Sequence, residues 1–285
     1  MENIPIRHIQ ATQPQPAFPD SFSIRDIETL LAGKDMVQAL HRHDFFLVIA
    51  LNKGLGSHEI DFTSYAICDQ SVFFLRPGQV HKLTLEAAST GYIMQFRGNF
   101  YHPHEKASDQ LMRKAGNQNF YQFDACKFQN ILSILKYIFE EYTDKQEKYQ
   151  EVIQANLDIL FIELIRHSSK SASGNTSLYM QQRLEKFLEL IETHMASHKQ
   201  VSHYARMMNL STYQLNAITK TSLGKTSSQL IDDSLILEAK RYLLATSNQV
   251  NQIAYDLGYE DISYFSRFFK KHTGYSPETF RQNFR

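Results

Sequence analysis

The chain has 285 residues, 42% of them hydrophobic and 21% charged, with a formal net charge of zero. That length points to two domains, and that balance is globular rather than disordered. The charge is not evenly spread: residues 180–285 hold thirteen Lys and Arg against ten Asp and Glu, a surplus of three that permits a nucleic-acid partner without requiring one.

Cys68 and Cys126 are the only cysteines and fit neither a zinc spacing nor a disulfide framework, so a reducing compartment is expected. The opening stretch MENIPIRHIQATQPQPAFPDSF has no apolar core of a secretion signal. The longest apolar run, FFLVIAL at 45–51, is too short to span a bilayer. The expectation is a cytoplasmic protein with no membrane partner.

Residues 22–100 read as strands. FFLVIAL is a continuous buried run, IDFTSYAI alternates, and SVFFLRPGQVHKLTL and TGYIMQF follow, with the turn signals NKGLGS and RPGQ between them. Several short strands at this spacing predict an antiparallel barrel or sandwich. His58 falls in a hairpin and is expected at the surface.

Over 127–167 the period becomes helical. Phe128, Ile131, Leu132, Leu135 and Phe139 form one stripe; Val152, Leu157, Leu160, Phe161, Leu164 and Ile165 form a second after the polar break YTDKQEKYQ. These two faces either cover the sheet or meet a second subunit. HSSKSASGNTS, at 167–177, has nothing to bury and is the best linker in the chain.

From 178 onward the pattern is helical and repeats once. Ala205 and Met208 match Ala254 and Leu257 at an offset of 49; after one inserted residue, Leu215, Lys220, Gly224 and Leu230 match Phe265, Lys270, Gly274 and Phe280 at 50. In the second copy QIAYDL is a helix and Gly258 a tight turn, with Asn209 in the equivalent place of the first copy. Asp261 caps the following helix ISYFSRFFKKHT, whose apolar stripe is Phe265, Phe268 and Phe269. Gly274 ends that helix, and Ser276 with Pro277 starts another. A helix, tight turn and helix with small, polar and basic groups facing outward is a helix-turn-helix, which fits one helix into a DNA major groove about 12 Å wide.

The stretch AKRYLLATSNQV with IAYDLGYEDISYFSRFFKKHTGYSPETFR resembles the DNA-binding domain of the AraC family of bacterial transcription regulators, over residues 178–285. The resemblance implies seven helices, with a long helix near 228–245 bridging two units at 201–224 and 250–274. It places reading positions at Tyr213, Asn216 and Ala217, and at Ser263, Tyr264 and Arg267. Thr212, Gln214, Ser266, Lys270 and Lys271 complete the expected DNA-binding set. Two departures stand out: Asn216 and Ala217 replace a Ser-Arg pair that many members carry, and Leu235 stands where an Arg is common. The first unit is therefore expected to read less by charge and more through Tyr213, Gln214 and Asn216.

HRHDFFLVIALNKGLG, SHEIDFTSYAI and FFLRPGQVHKL resemble the cupin-like barrel that precedes many such domains. The resemblance implies a small-molecule effector in the barrel, a homodimer through the helices that follow, and RNA polymerase as a partner. His41, His43 and His81 could be three imidazole ligands for a metal. The acidic ligand usual in metal cupins is missing, with Leu47 and Val48 in its place, and the glycine spacing is unlike theirs. A hydrogen-bonding pocket of His41, His43, Arg76, His81, Tyr92 and Gln95, without metal or cofactor, is expected instead. No P-loop, GxSxG, GxGxxG or HExxH is present, so no enzyme is expected.

The expected architecture is α+β and multidomain. A cupin-like antiparallel barrel occupies 1–110, dimerisation helices 111–168, a linker 169–177, and an all-α domain with two helix-turn-helix units 178–285. The expected function is an effector-controlled, sequence-specific transcription activator binding double-stranded DNA. The alternatives are a metal-dependent cupin enzyme with a DNA-binding tail, or a barrel that serves only to dimerise.

Overall fold

The computed structural model describes residues 6–7, 9, 21–101, 106–171 and 178–284, which divide into one unit within 5–172 and another within 173–285. No described helix is long and apolar enough to cross a membrane.

The first unit runs β1 (Ile6–Arg7), β2 (Phe22–Asp26), α1 (Ile27–Leu31), β3 (Met36–His43), β4 (Phe46–Lys53), β5 (Gly56–Ile60), β6 (Thr63–Ile67), β7 (Ser71–Leu75), β8 (His81–Leu85), β9 (Thr90–Phe96), α2 (Lys106–Ala115), β10 (Phe120–Gln122), α3 (Ala125–Asp144) and α4 (Tyr149–Ser171). Two five-stranded sheets form, in the orders β1-β3-β8-β5-β6 and β10-β7-β4-β9-β2. All pairings are antiparallel except the short parallel contact of β1 with β3.

The second sheet is buried on both faces, which explains why β4 and β7 read as unbroken apolar runs. Leu47, Ile49, Leu51, Phe73, Leu75 and Ile93 point between the sheets and meet Ile60, Ile67, Leu83 and Leu85. Val48, Ala50, Val72, Phe74, Met94 and Phe96 point the other way, onto helices. Those helices supply Phe128, Ile131, Leu135 and Ile138 from α3 and Ile153, Leu157, Leu160, Phe161 and Leu164 from α4. Of the two readings left open for these stripes, the structure takes the first: they cover their own sheet.

The structure departs from the sequence expectation in four places, the first being that the barrel does not end at 110, since β10 pairs with β7 in the second sheet and α2 runs across that boundary. IDFTSYAI is not one strand, because Asp61 and Phe62 take φ of 46° and 68° and close a two-residue hairpin that pairs Ile60 with Thr63. His58 is not at the surface but fully buried: along β5 it shares the inward face with Ile60, while Ser57 and Glu59 point out. The expected linker begins later, since 169–171 still belong to α4; residues 172–177 lie outside the described residues.

The second unit holds α5 (Leu178–His194), α6 (Val201–Met207), α7 (Thr212–Leu223), α8 (Ser227–Ala245), α9 (Val250–Asp256), α10 (Ile262–Thr273) and α11 (Pro277–Phe284). The long α8 is a central post that touches all six of the others. The repeat in the sequence is a repeat in packing. Ala205 and Ala254, Met208 and Leu257, Leu215 and Phe265, and Leu230 and Phe280 are all buried, each pair in corresponding places. Leu235, at the departure from the family pattern, is 1% exposed and belongs to this core. Arg281 is also nearly buried: its Nε donates to Leu243 O at 3.0 Å and its Nη2 to Asn248 O at 2.6 Å, tying α11 to the end of α8.

Candidate nucleic-acid interface and histidine cluster

Both tight turns depend on a left-handed residue: Asn209 has φ 53° and Gly258 has φ 72°. The second turn also needs the absence of a side chain. A Cβ on Gly258 would lie 1.7 Å from Ala196 O, in the loop joining α5 to α6. Lys199 in that loop donates to Gly258 O at 2.6 Å and sits 4.5 Å from the Tyr259 ring centroid. Burial pushes the Lys199 amine below its ordinary pKa and the Tyr259 phenol above its own.

Each second helix starts on a side-chain cap and ends on a left-handed glycine. Ser211 Oγ accepts from Gln214 N at 3.1 Å while Gln214 Oε1 accepts from Ser211 N at 2.9 Å, a reciprocal capping box. Asp261 Oδ1 accepts from Ser263 N at 2.7 Å and Tyr264 N at 3.1 Å. Gly224 and Gly274, at φ 69° and 81°, close α7 and α10. Phe265 and Phe269 are fully buried, whereas Phe268 is only half-buried and lies against Tyr259 and His272.

What remains outward is the candidate reading surface. On α10, Ser263, Tyr264, Arg267, Lys270 and Lys271 are exposed and Ser266 is half-buried. The Arg267 guanidinium stands 4.0 Å from Asp261, and both are solvated, so little holds it from another partner. On α7, Thr212, Tyr213, Gln214 and Ala217 are exposed, Tyr213 by 83%. Asn216 is half-buried instead: its Oδ1 accepts from Ser227 N at 2.9 Å and so caps α8. Gln214 is likewise engaged in its own cap. Lys220 and Thr221 share the exposed face of Tyr213 and Ala217 one turn on. Extending the helical period from Tyr213 would have found both.

In the first unit the three expected histidines come together with a fourth. His41 and His43 on β3, His81 on β8 and His58 on β5 are all buried, at 2%, 2%, 0% and 0% exposure. His41 and His81 are cross-strand partners, and His58 lies diagonally across from His81. The ring centroids of His41 and His43 lie 4.1 Å and 4.7 Å from that of His81. His58 Nε2 and His81 Nδ1 are 2.9 Å apart. Burial, and then the neighbouring His43 and His41, pull the His58 pKa from 6.5 to about 3, so that ring is neutral.

Two of the other expected pocket residues, Tyr92 and Arg76, lie apart from this cluster. The Tyr92 ring packs 5.5 Å from Phe139 of α3, on the helical face of its sheet. The stem of Arg76 lies beside Gly116, after α2. Gln95 is in the opposite sheet, on the same inward face of β9 as Ile93, and its Oε1 accepts from Ser23 Oγ at 3.4 Å.

Two family models match the chain: an AraC-like ligand binding domain over residues 27–188 and a helix-turn-helix domain over 204–283. The HTH-type transcriptional activator RhaS of Escherichia coli O1:K1 / APEC is 23% identical over 267 residues, covering 93% of this chain and 94% of the relative. RhaS of Klebsiella pneumoniae (strain 342) is 23% identical over 244 residues, covering 85% and 87%. Among solved structures, ToxT from Vibrio cholerae is 15% identical with a TM-score of 0.45, over 92% of this chain and 98% of that one.

Proposed function

The chain belongs to the AraC family of transcription regulators, and we propose that it activates transcription by reading DNA with two helices under control of a ligand in its barrel. The observation that carries this reading is the pair of helix-turn-helix units. Both are built on a left-handed turn and a capped second helix, and both leave that helix with an exposed face that carries polar or basic groups. Such a helix suits the major groove by its width, and its side chains divide by chemistry. In the second unit Arg267, Ser263 and Tyr264 would meet base edges while Lys270 and Lys271 neutralise phosphate. In the first, Tyr213 and Ala217 would face bases, with Thr212, Gln214 and Lys220 near the backbone. Asn216 and Ser266 would support their helices from half-buried positions.

The barrel is the sensing half in this reading, and its buried histidines are the polar feature a ligand would engage. Such a ligand acts only if it binds one DNA-binding state better than the other. The apolar faces of α3 and α4 are taken up by the barrel. A homodimer would therefore use the outer surface of these helices, where Tyr137 and Ile159 are exposed.

Hydroxyl-radical footprinting of the full-length protein on DNA from upstream of its own gene tests the two-reader geometry. Each bound chain should protect two windows about one helical turn apart, roughly 10 bp. A single window per chain would mean that one unit does not read DNA.

A further inference from the structure

We propose that His41, His43 and His81 form a three-imidazole binding site for a divalent first-row transition metal of the zinc class, with His58 as the positioning residue behind His81. The proposal rests on the barrel alone and stands apart from the DNA-binding reading.

The first support is convergence. One potential ligand atom from each of the three histidines lies within 4.8 Å of the others, inside a barrel wall where all three rings are buried. A tetrahedral ion with bonds of about 2.0–2.1 Å to nitrogen sets its ligands about 3.3 Å apart. Small ring rotations close that gap, because β3 and β8 are already paired at His41 and His81.

The second support is the tautomer of each ring. His41 Nδ1 is 2.8 Å from Ala39 O, and His43 Nδ1 is 3.2 Å from Phe45 O. A carbonyl oxygen can only accept, so the neutral form of each ring carries its proton on Nδ1 and its lone pair on Nε2. His81 Nδ1 faces His58 Nε2 at 2.9 Å. When His81 donates, its Nε2 also presents a lone pair. All three ligands then have the outer hydrogen bond that orients a metal-binding imidazole. His58 is too well buried to serve a surface role, and its Nε2 stands within hydrogen-bond reach of that proton.

The third support is ligand chemistry. Three imidazoles with no carboxylate suit zinc, copper, nickel or cobalt, and do not suit the oxygen-seeking calcium or magnesium. The acid absent from the sequence pattern does not prevent this, since three nitrogens suffice to hold an ion with a fourth position left for water or another ligand. A second histidine group, His198 and His203 in the other unit, serves as an internal control. Their Nδ1 atoms are 3.0 Å apart, but the pair is half-exposed and uses its facing nitrogens on each other.

The test titrates chelator-treated full-length protein with zinc chloride and counts bound ions per chain. X-ray absorption of the one-equivalent sample then reads the ligands. One ion per chain with three imidazole nitrogens at about 2.0–2.1 Å is expected. His43→Gln and His81→Gln should each weaken zinc by at least about 100-fold, and His58→Gln by about 10–100-fold, as for loss of an outer hydrogen bond. His198→Gln should bind as the parent does. Failure of the parent to take up zinc overturns the proposal. So does a spectrum with fewer than three imidazoles, or loss of binding in His198→Gln. The absorption result needs only the parent, so it decides the matter even where a variant fails to fold.

Discussion

Replacing Gly258 with alanine should damage the second reading unit more than any other single methyl group added to it. The residue has φ +72°, and its Cβ would lie 1.7 Å from Ala196 O and 2.8 Å from both Ala196 C and Lys199 Nζ. The left-handed backbone alone costs an alanine about 1–2 kcal/mol. The contact with a backbone oxygen cannot be relieved by rotating a side chain, so the loop between α5 and α6 must move. That movement breaks the hydrogen bond from Lys199 to Gly258 O, a loss of about 1 kcal/mol once its partial exposure is allowed for. Together these give about 3 kcal/mol or more, against a total stability of about 5–15 kcal/mol for such a domain. Scanning calorimetry of the full-length protein should show the transition of the C-terminal unit lowered by more than about 10 °C. Gly274→Ala is the control, since Gly274 has φ +81° but nothing within 4 Å of its Cβ, leaving only the backbone cost. If both variants melt together, the close approach of Gly258 to Ala196 is not what demands glycine there.

Arg267→Ala should weaken specific DNA binding by about 1–3 kcal/mol and relax preference at one base pair; an unchanged operator affinity would remove α10 from the groove. Lys270→Ala should weaken all DNA alike and reduce the salt slope by about one, which affinity measured across a salt series reads directly. Asn216→Ala should cost about 1 kcal/mol of stability, seen in urea unfolding, because it removes the cap on Ser227 N. An altered base preference in that variant would instead make Asn216 a reader. Arg281→Ala leaves the buried Leu243 carbonyl and the more open Asn248 carbonyl without their donor and should cost about 2 kcal/mol; an unchanged melting temperature would refute its role as a tie between α11 and α8.

The helical half was legible because its signals are local. Glycine, asparagine and cap residues punctuate each helix at fixed offsets, and the duplication repeats them, so Asn209, Gly258, Asp261 and Gly274 stand in the conformations expected of them. Leu215 and Phe265 carry the apolar stripe by period alone. What escaped was the competition for polar side chains. Gln214 and Asn216 look like base readers in isolation, but each has a backbone N–H within reach that takes its oxygen. In the barrel half, apolar runs marked strands without saying which sheet they join. The burial of His58 depends on β5 pairing with β8, a contact across more than twenty residues that no local pattern announces. The same non-local pairing separates Tyr92 and Arg76 from the histidines, because alternation assigns a face of a strand but not what covers it.

The central claim is that this chain recognises a DNA sequence through two reading helices. Its most direct test is binding of the full-length protein, across a salt series, to the fragment upstream of its own gene and to a scrambled duplex of equal length. Tight binding to the native fragment, exceeding the scrambled one by about 1000-fold or more at physiological salt, is the result predicted for a specific reader. Equal, steeply salt-dependent binding to both duplexes, with and without added zinc, would contradict it and leave only a charge contact with phosphate.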